Sequence, residues 1–463
     1  VERRADVIVI GLGSAGAAAS TFFAQKGFRV VAVDKRPVGE TGARWVNSVP
    51  RWCFEDARVA TPSGEELFGG HAPDAEHVFH LIAPGGAARL PLKAPPVLHV
   101  DMRRFVDRLV REAISAGVEV LRGSLREVVL EQARVVGVRV ETDAGERRID
   151  ARLIVDASGI GGAVRRRVPS LAAAWPEVDE ESRCIAAEFQ YAVSDKAALE
   201  AFLKSHGALP GHDLAFPGCA GGYSTLTLFT TKSLDTVGLL TGSIPATGVM
   251  DAGALLDAFV ATAPWLGERL FGGRGAIPVT RPYDMLASSG VALIGDAACQ
   301  VHAAHGSGVG MGLLAARVLA DAVQEDPGSE ASLRAYTRNF HRAHGGLLAT
   351  ADAFRRFIQQ ASRDDLVTLL TAGLLDEKLA HDGLAQRITR PDVAMVFAMA
   401  PRAARVPGLA LRFLPLAAKS GVLDLVGGST RMRGLVNALV GSAPGQAGAG
   451  EWSVPSGTPK GAR

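Results

Sequence analysis

Cysteine is scarce in this chain: four occur in 463 residues. Cys53, Cys184, Cys219 and Cys299 make neither a C-x-x-C pair nor a histidine-flanked ligand pattern, which excludes a disulfide framework and gives no metal to expect. Long apolar runs are also missing. No uncharged stretch reaches the roughly eighteen residues that a spanning helix needs, although contact with a membrane surface stays open. Neither sign of charge dominates, since 50 basic and 48 acidic residues leave a net charge of +2. Electrostatics therefore give no reason to expect nucleic acid as a partner. The opening residues lack a basic, apolar and small-residue succession of the export type, so a cytoplasmic location with free thiols is expected. What is present is ordinary globular usage, 48% hydrophobic and 21% charged, in a chain long enough for two or three structural units.

The run Val7-Ile8-Val9-Ile10 is short and β-branched, and a glycine-rich turn leads from it into the alanine-rich stretch from Ala15 to Phe23. A second apolar run from Phe28 to Val33 ends at Asp34. Strand, helix and strand in that order make a parallel βαβ unit. An amphipathic helix follows over 104–117, with Phe105, Leu109 and Ala113 on one face, and strands are expected over 118–121, 135–141 and 153–156. From Cys184 to Gly242 the pattern turns β-rich between Gly/Pro turns, and a buried strand returns over 291–294 before a small-residue helix over 308–323.

The fold class expected is therefore α/β, a Rossmann-type dinucleotide-binding domain with an inserted β-rich domain and a C-terminal helical region. The first domain takes 1–70, 97–178 and 275–340. The inserted domain, expected to hold the substrate, takes 71–96 and 179–274. Residues 341–441 form the helical region, with an apolar, proline-broken stretch over 409–425, and the Gly/Pro/Ser-rich residues 442–463 are a disordered tail.

Gly11-Leu12-Gly13-Ser14-Ala15-Gly16 matches G-x-G-x-x-G between a strand and a helix. Gly11 permits the tight turn, Gly13 lets a pyrophosphate approach the backbone, and Gly16 lets helix and strand pack closely, with the helix N-terminus facing the negative charge at Ser14 and Ala15. Asp34, closing the second strand, can accept hydrogen bonds from the ribose hydroxyls of an adenosine moiety. A glycine turn needed for packing alone would leave Asp34 unexplained.

Far downstream, Gly295-Asp296-Ala297-Ala298 followed by Gly306-Ser307-Gly308 and Gly312 resembles the second flavin fingerprint of FAD-dependent group A hydroxylases and geranylgeranyl reductases. In that family the aspartate holds the ribityl chain, and the following glycines bring a helix start to the flavin edge. Asp156-Ala157-Ser158-Gly159, with Val164-Arg165 after it, is similar to a third stretch of the same superfamily, which implies that Asp156 and Gly159 contact the cofactor. The resemblance spans residues 5 to about 320 in the family's order. Finer likeness favours the geranylgeranyl-reductase branch: Asp34-Lys35-Arg36 resembles its acidic-Lys-Arg strand end, and Phe216-Pro217 with Gly221-Gly222-Tyr223 its P-G-G-Y stretch. Ser362-Arg363-Asp364-Asp365 also resembles its C-terminal region, but S-x-x-[DE] before an apolar run is a common helix cap. Ala303 stands where the family commonly has proline, and the W-x-W-x-I-P motif of flavin halogenases is absent.

The resemblance implies FAD as cofactor, with NADPH, NADH or a ferredoxin as electron donor, and a hydrophobic or carrier-tethered substrate. Carbon–carbon double-bond reduction, hydroxylation with molecular oxygen, and a non-redox cyclisation or isomerisation all remain open; so does a purely structural flavin. His302 and His305 fall in the loop expected beside the flavin ring and are candidate acids or bases, as is Tyr223, which suits a pocket wall at least as well. Arg44 is a candidate for the pyrophosphate. Trp45 and Trp52 suit packing, His99 a structural role, and Cys299 lacks a base that would make it redox-active.

Overall fold

The protein is described by a computed structural model that covers residues 3–70, 72–389, 393–413, 422 and 433–440. Two large sheets organise it. The first has nine strands in the order Arg3–Arg4, Gly145–Asp150, Arg134–Thr142, Glu119–Glu131, Val30–Asp34, Val7–Ile10, Leu153–Asp156, Val291–Leu293 and Ala287–Ser288. Its middle is parallel, and helices cover it, which is why Val7 to Ile10 are apolar without alternation and all buried. The strand Val30–Asp34 begins two residues later than the apolar run suggests. Gly27 turns the chain at φ +86°, and Phe28 packs edge-on against Phe23 rather than joining the ladder.

The amphipathic helix occupies Met102–Ser115, two residues earlier than its apolar spacing indicates, because the Asp101 side chain accepts from the Arg103 N–H and fixes the start. Phe105, Leu109 and Ala113 are buried as their spacing requires. The strand after it runs on to Glu131, well past the short apolar run that announces it. Its outer half buries only Leu125 and Val128 among mostly exposed residues, within an antiparallel extension of the sheet.

The second sheet has seven strands, in the order Leu266–Pro278, Arg183–Val193, Thr236–Ser243, Ser224–Thr230, Asp213–Pro217, Val78–Ile82 and Arg89–Lys93. Residues 71–96 thus contribute its last two strands. Helices Lys196–Ser205 and Ala252–Val260 lie within the inserted domain, the first of them inside the stretch that reads as β-rich; Asp195 and Asp251 cap them, and Leu199, Leu203 and Leu256 share a core with Trp265. A two-stranded ribbon, Val46–Pro50 with Val97–Asp101, joins the two halves of the molecule.

Among the described residues beyond 338 the secondary structure is helical, and Leu366, Leu369 and Leu374 cluster with Met399 and Phe413. Ser362 and Asp365 form the reciprocal cap that their spacing suggests. Most of the proline-broken stretch over 409–425 and all of 442–463 lie outside the described residues. Among the described residues no helix is long and apolar enough to cross a membrane.

Candidate flavin site

The parallel ladder brings three distant turns to one edge of the first sheet. The Ala157 N–H donates to the Ile10 carbonyl at 2.9 Å, and the Ile294 N–H to the Asp156 carbonyl at 3.1 Å, so Gly11, Ala157 and Gly295 leave the sheet side by side. This is the carboxyl end of the strands, where open α/β sheets place their ligands.

In the first turn, Gly11 has φ +99°, and a Cβ there would lie 2.5 Å from the Ala157 carbonyl oxygen. A Cβ on Gly16 would overlap the Gly11 carbonyl. Gly13 differs: its nearest neighbour for an added Cβ is the Gly42 Cα at 3.9 Å, so its lack of a side chain serves the open space in front of it. Helix Ser14–Gln25 starts at Gly13 with no side-chain cap, leaving its first N–H groups and positive dipole end for an anion. Asp34 reaches back to this turn, accepting the Leu12 N–H through Oδ2 at 2.7 Å and the Arg36 N–H through Oδ1 at 2.9 Å. Lys35 is exposed, and the buried Nε of Arg36 has no partner. Arg44 donates to the Gly39 carbonyl at 2.6 Å and so braces the loop after the second strand.

Asp156 is fully buried, and its carboxylate accepts the Ser158 N–H at 3.1 Å, the Ser158 hydroxyl at 2.5 Å and the Val164 N–H at 3.0 Å. It therefore shapes the turn that carries Gly159, which has φ +77° and open space around it. A ligand contact by Asp156 itself, one reading of the motif, is unsuited to a carboxylate so fully engaged by its own turn.

The second fingerprint meets the first directly. Added Cβ atoms on Gly295 and Gly312 would lie 3.4 Å and 3.1 Å from the Ala15 Cβ, so their smallness lets the two segments touch. Asp296 accepts no hydrogen bond through its side chain among the described residues, and burial pushes its carboxyl up to about 6. A Cβ on Gly308 would come within 2.7 Å of the Asp296 Oδ1. Helix Val309–Ala322 begins at Gly308, again without a side-chain cap or an acidic first turn. An unpartnered carboxylate and two uncapped helix starts at one sheet edge fit FAD well: ribityl hydroxyls are donors, and its pyrophosphate and pyrimidine edge take N–H groups.

Between these helix starts, the His302 N–H donates to the Ser307 carbonyl at 2.9 Å and the Tyr223 hydroxyl to the Ala303 carbonyl at 2.8 Å. Tyr223 thus holds the loop from the second sheet. The rings of His302 and His305 lie 4.9 Å apart, tilted by 49°, and the buried Nδ1 of His302 has no partner among the described residues. Burial pushes His305 down to about 4, and burial with the neighbouring His305 ring pushes His302 well down. Both are neutral imidazoles at neutral pH. Gly306 has φ +62°, and the Ser307 hydroxyl donates to the Ser48 carbonyl at 3.4 Å. Burial pushes the Cys299 thiol up to about 12, so it is not a thiolate nucleophile.

Two parts of this arrangement have no motif. Gln300 accepts the Gly295 N–H at 2.8 Å and donates to the Tyr336 hydroxyl at 2.9 Å, and Tyr336 donates to the Leu293 carbonyl at 2.7 Å. This buried chain locks the Asp296 turn. Glu188, on the second sheet, accepts the Val46 N–H at 2.9 Å beside Trp45; burial, only partly offset by that bond, pushes its carboxyl up to about 8. A charged residue inside an apolar strand was the one available signal for it.

A family model described as FAD dependent oxidoreductase matches residues 6–187. A digeranylgeranylglycerophospholipid reductase of Methanopyrus kandleri is 26% identical over 407 residues, covering 83% of this chain and 98% of that protein. Among solved structures, a geranylgeranyl bacteriochlorophyll reductase-like protein of Thermoplasma acidophilum superimposes with a TM-score of 0.70 at 16% identity, covering 90% of this chain and 100% of that one. The flavin-dependent brominase Bmp2 superimposes with a TM-score of 0.60 at 18% identity, covering 87% and 99%. At such identities the structural likeness speaks for the fold alone. With both fingerprints in place, the chain is an FAD-dependent oxidoreductase, similar over most of its length to the digeranylgeranylglycerophospholipid reductases.

Proposed function

We propose that the protein saturates carbon–carbon double bonds of a long hydrophobic substrate of isoprenoid character. The observation that carries this reading is the apolar surface that the second sheet turns toward the His302–Ser307 loop. Cys184, Tyr223, Ile244 and Val279 form one buried cluster with Ala303, and Ile277 packs against it. Ile277, Val279 and the Tyr223 hydroxyl are also the nearest neighbours of Gly306. Such a wall favours a hydrocarbon over a charged or strongly polar substrate. The reductase relative from Methanopyrus kandleri supports the same reading.

Bound FAD supplies the hydride. The chain's share is to hold the cofactor by the turns at Gly11–Gly16, Asp34 and Asp296, exclude water with the apolar wall, and manage one proton. His302 suits that last task as a neutral relay: its unpartnered Nδ1 can take up a proton while Nε2 releases one, with no charge to stabilise in a buried loop. Phe397 and Leu411, 74% and 77% exposed on the C-terminal helices, support contact with the lipid surface from which such a substrate would come, on the cytoplasmic side. The near balance of charge supports no role for nucleic acid.

The test uses the FAD-loaded chain, reduced anaerobically with dithionite and mixed with a detergent-dispersed geranylgeranyl glycerophospholipid. Reoxidation of the flavin with a product heavier by one H2 per saturated bond is expected. A flavin that stays reduced until air is admitted, with labelled oxygen then entering the product, would make the chain a monooxygenase. A product of unchanged oxidation state would make it a cyclase or isomerase.

A further inference from the structure

Away from the flavin turns, three buried side chains from separate stretches meet where the second sheet rests on the two-stranded ribbon. His77 precedes the strand Val78–Ile82, Asp213 opens the neighbouring strand Asp213–Pro217, and His99 lies in Val97–Asp101 of the ribbon. Their ligand atoms all lie within 4.8 Å of one another. His77 Nε2 is 2.9 Å and His99 Nε2 2.7 Å from the same oxygen, Asp213 Oδ2, while Asp213 Oδ1 is buried and has no partner. Two ring donors serving only to neutralise a buried carboxylate would cover both of its oxygens, since a bare buried acceptor costs about 1–3 kcal/mol. Here both rings converge on one side and leave the other oxygen empty.

The far side of one ring is also held. His99 Nδ1 lies 2.9 Å from the Ser48 hydroxyl. Anchoring the remote nitrogen leaves the near one to present a lone pair, which is how proteins orient imidazoles toward an ion. We propose that His77, His99 and Asp213 form a binding site for a divalent transition-metal ion of the zinc type. Two imidazoles and one carboxylate suit zinc, whereas calcium and magnesium favour all-oxygen shells. Bonds of about 2.1 Å to a tetrahedral ion separate neighbouring donors by roughly 3.4 Å, so the gaps to Asp213 Oδ2 open by about half an ångström on binding. Asp213 Oδ1 or a water takes the fourth position.

The ion would tie two strands of the second sheet to the ribbon of the flavin half. Ser48, which holds His99 from behind, also accepts the Ser307 hydroxyl of the flavin loop through its carbonyl. The site therefore sets the position of the substrate sheet against that loop and takes no part in hydride transfer.

The experiment uses the full FAD-loaded chain, stripped with a chelator, incubated with excess Zn2+ and desalted; metal content is then measured, and a parallel sample is titrated with Co2+. One zinc per chain, visible d–d bands of low-coordinate cobalt and a rise of several degrees in unfolding temperature are expected. Asp213→Asn and His99→Gln should each weaken zinc binding by about tenfold or more. His80→Gln alters the separate His80–His212 pair, joined at 3.0 Å, and should leave zinc binding unchanged. Wild-type protein that retains no zinc and shows no thermal shift overturns the proposal, whether or not the variants fold. So does equal retention by a folded Asp213→Asn chain, or loss on His80→Gln.

Discussion

The two turns proposed to hold the flavin are built on opposite principles. At the first, the acidic residue is already spoken for: Asp34 accepts two backbone N–H groups and draws the Gly11–Gly16 turn onto the second strand. At the second, Asp296 has no side-chain partner among the described residues, and Gln300 with Tyr336 holds its turn from behind. One turn is a finished piece of protein structure that a ligand can use. The other keeps a carboxylate whose desolvation cost a ligand's donors, or a proton, would relieve.

Breaking the first turn should have the largest effect. Gly11→Ala forces a Cβ against the Ala157 carbonyl at a φ of +99°, and a loss of about 3 kcal/mol in stability with almost no bound flavin is expected. Gly13→Ala sharpens the point, because no protein atom opposes that methyl group. Its apo form should unfold at the wild-type temperature while FAD affinity falls about a hundredfold, or about 3 kcal/mol, as read by flavin fluorescence titration.

Asp296→Asn tests the second turn. Its carboxyl is raised from 3.8 to about 6, so the folded apo chain holds this proton more tightly than the unfolded chain. The stability it contributes is complete below 3.8 and is lost as pH rises through about 6. The variant should abolish that fall in apo stability and make the apo chain more stable than wild type at pH 7, while weakening FAD about tenfold. Thermal unfolding of both apo forms across this range would refute the idea if the curves ran parallel.

Asp34→Asn should invert the pattern. An amide offers a single acceptor oxygen to two backbone donors, so apo stability falls by about 1 kcal/mol, with FAD affinity only severalfold weaker. Denaturant unfolding of the apo chain would show it. The smallest effect is expected at Tyr223→Phe, which leaves the Ala303 carbonyl without its donor. A loss of about 1 kcal/mol with unchanged flavin content would mark Tyr223 as a loop brace, and a lost proton-transfer step would mark it as more.

The two glycine turns were readable from the sequence because each is contiguous. Gly11 to Gly16 and Gly295 to Gly308 carry their geometry in local backbone demands, and those demands select glycine one position at a time. The strand and helix order of the first domain was readable for a similar reason, since buried parallel strands leave unbroken apolar runs. The outer half of the strand Glu119–Glu131 was not, because an exposed antiparallel extension carries no such run. Two helices inside the inserted domain were hidden as well: short amphipathic segments over a sheet take their helical state from the core that they cover.

Local chemistry was therefore written in the sequence: a dinucleotide turn, a second fingerprint, an acidic residue at each, and the absence of a spanning helix. The fold alone decided which of those carboxylates is satisfied and which is bare. It also placed Glu188 against Val46, Gln300 behind Gly295, and two histidines against Asp213 from strands more than a hundred residues apart. A hydrogen bond between distant strands depends on how sheets pair and pack, and no short window of residues contains that information.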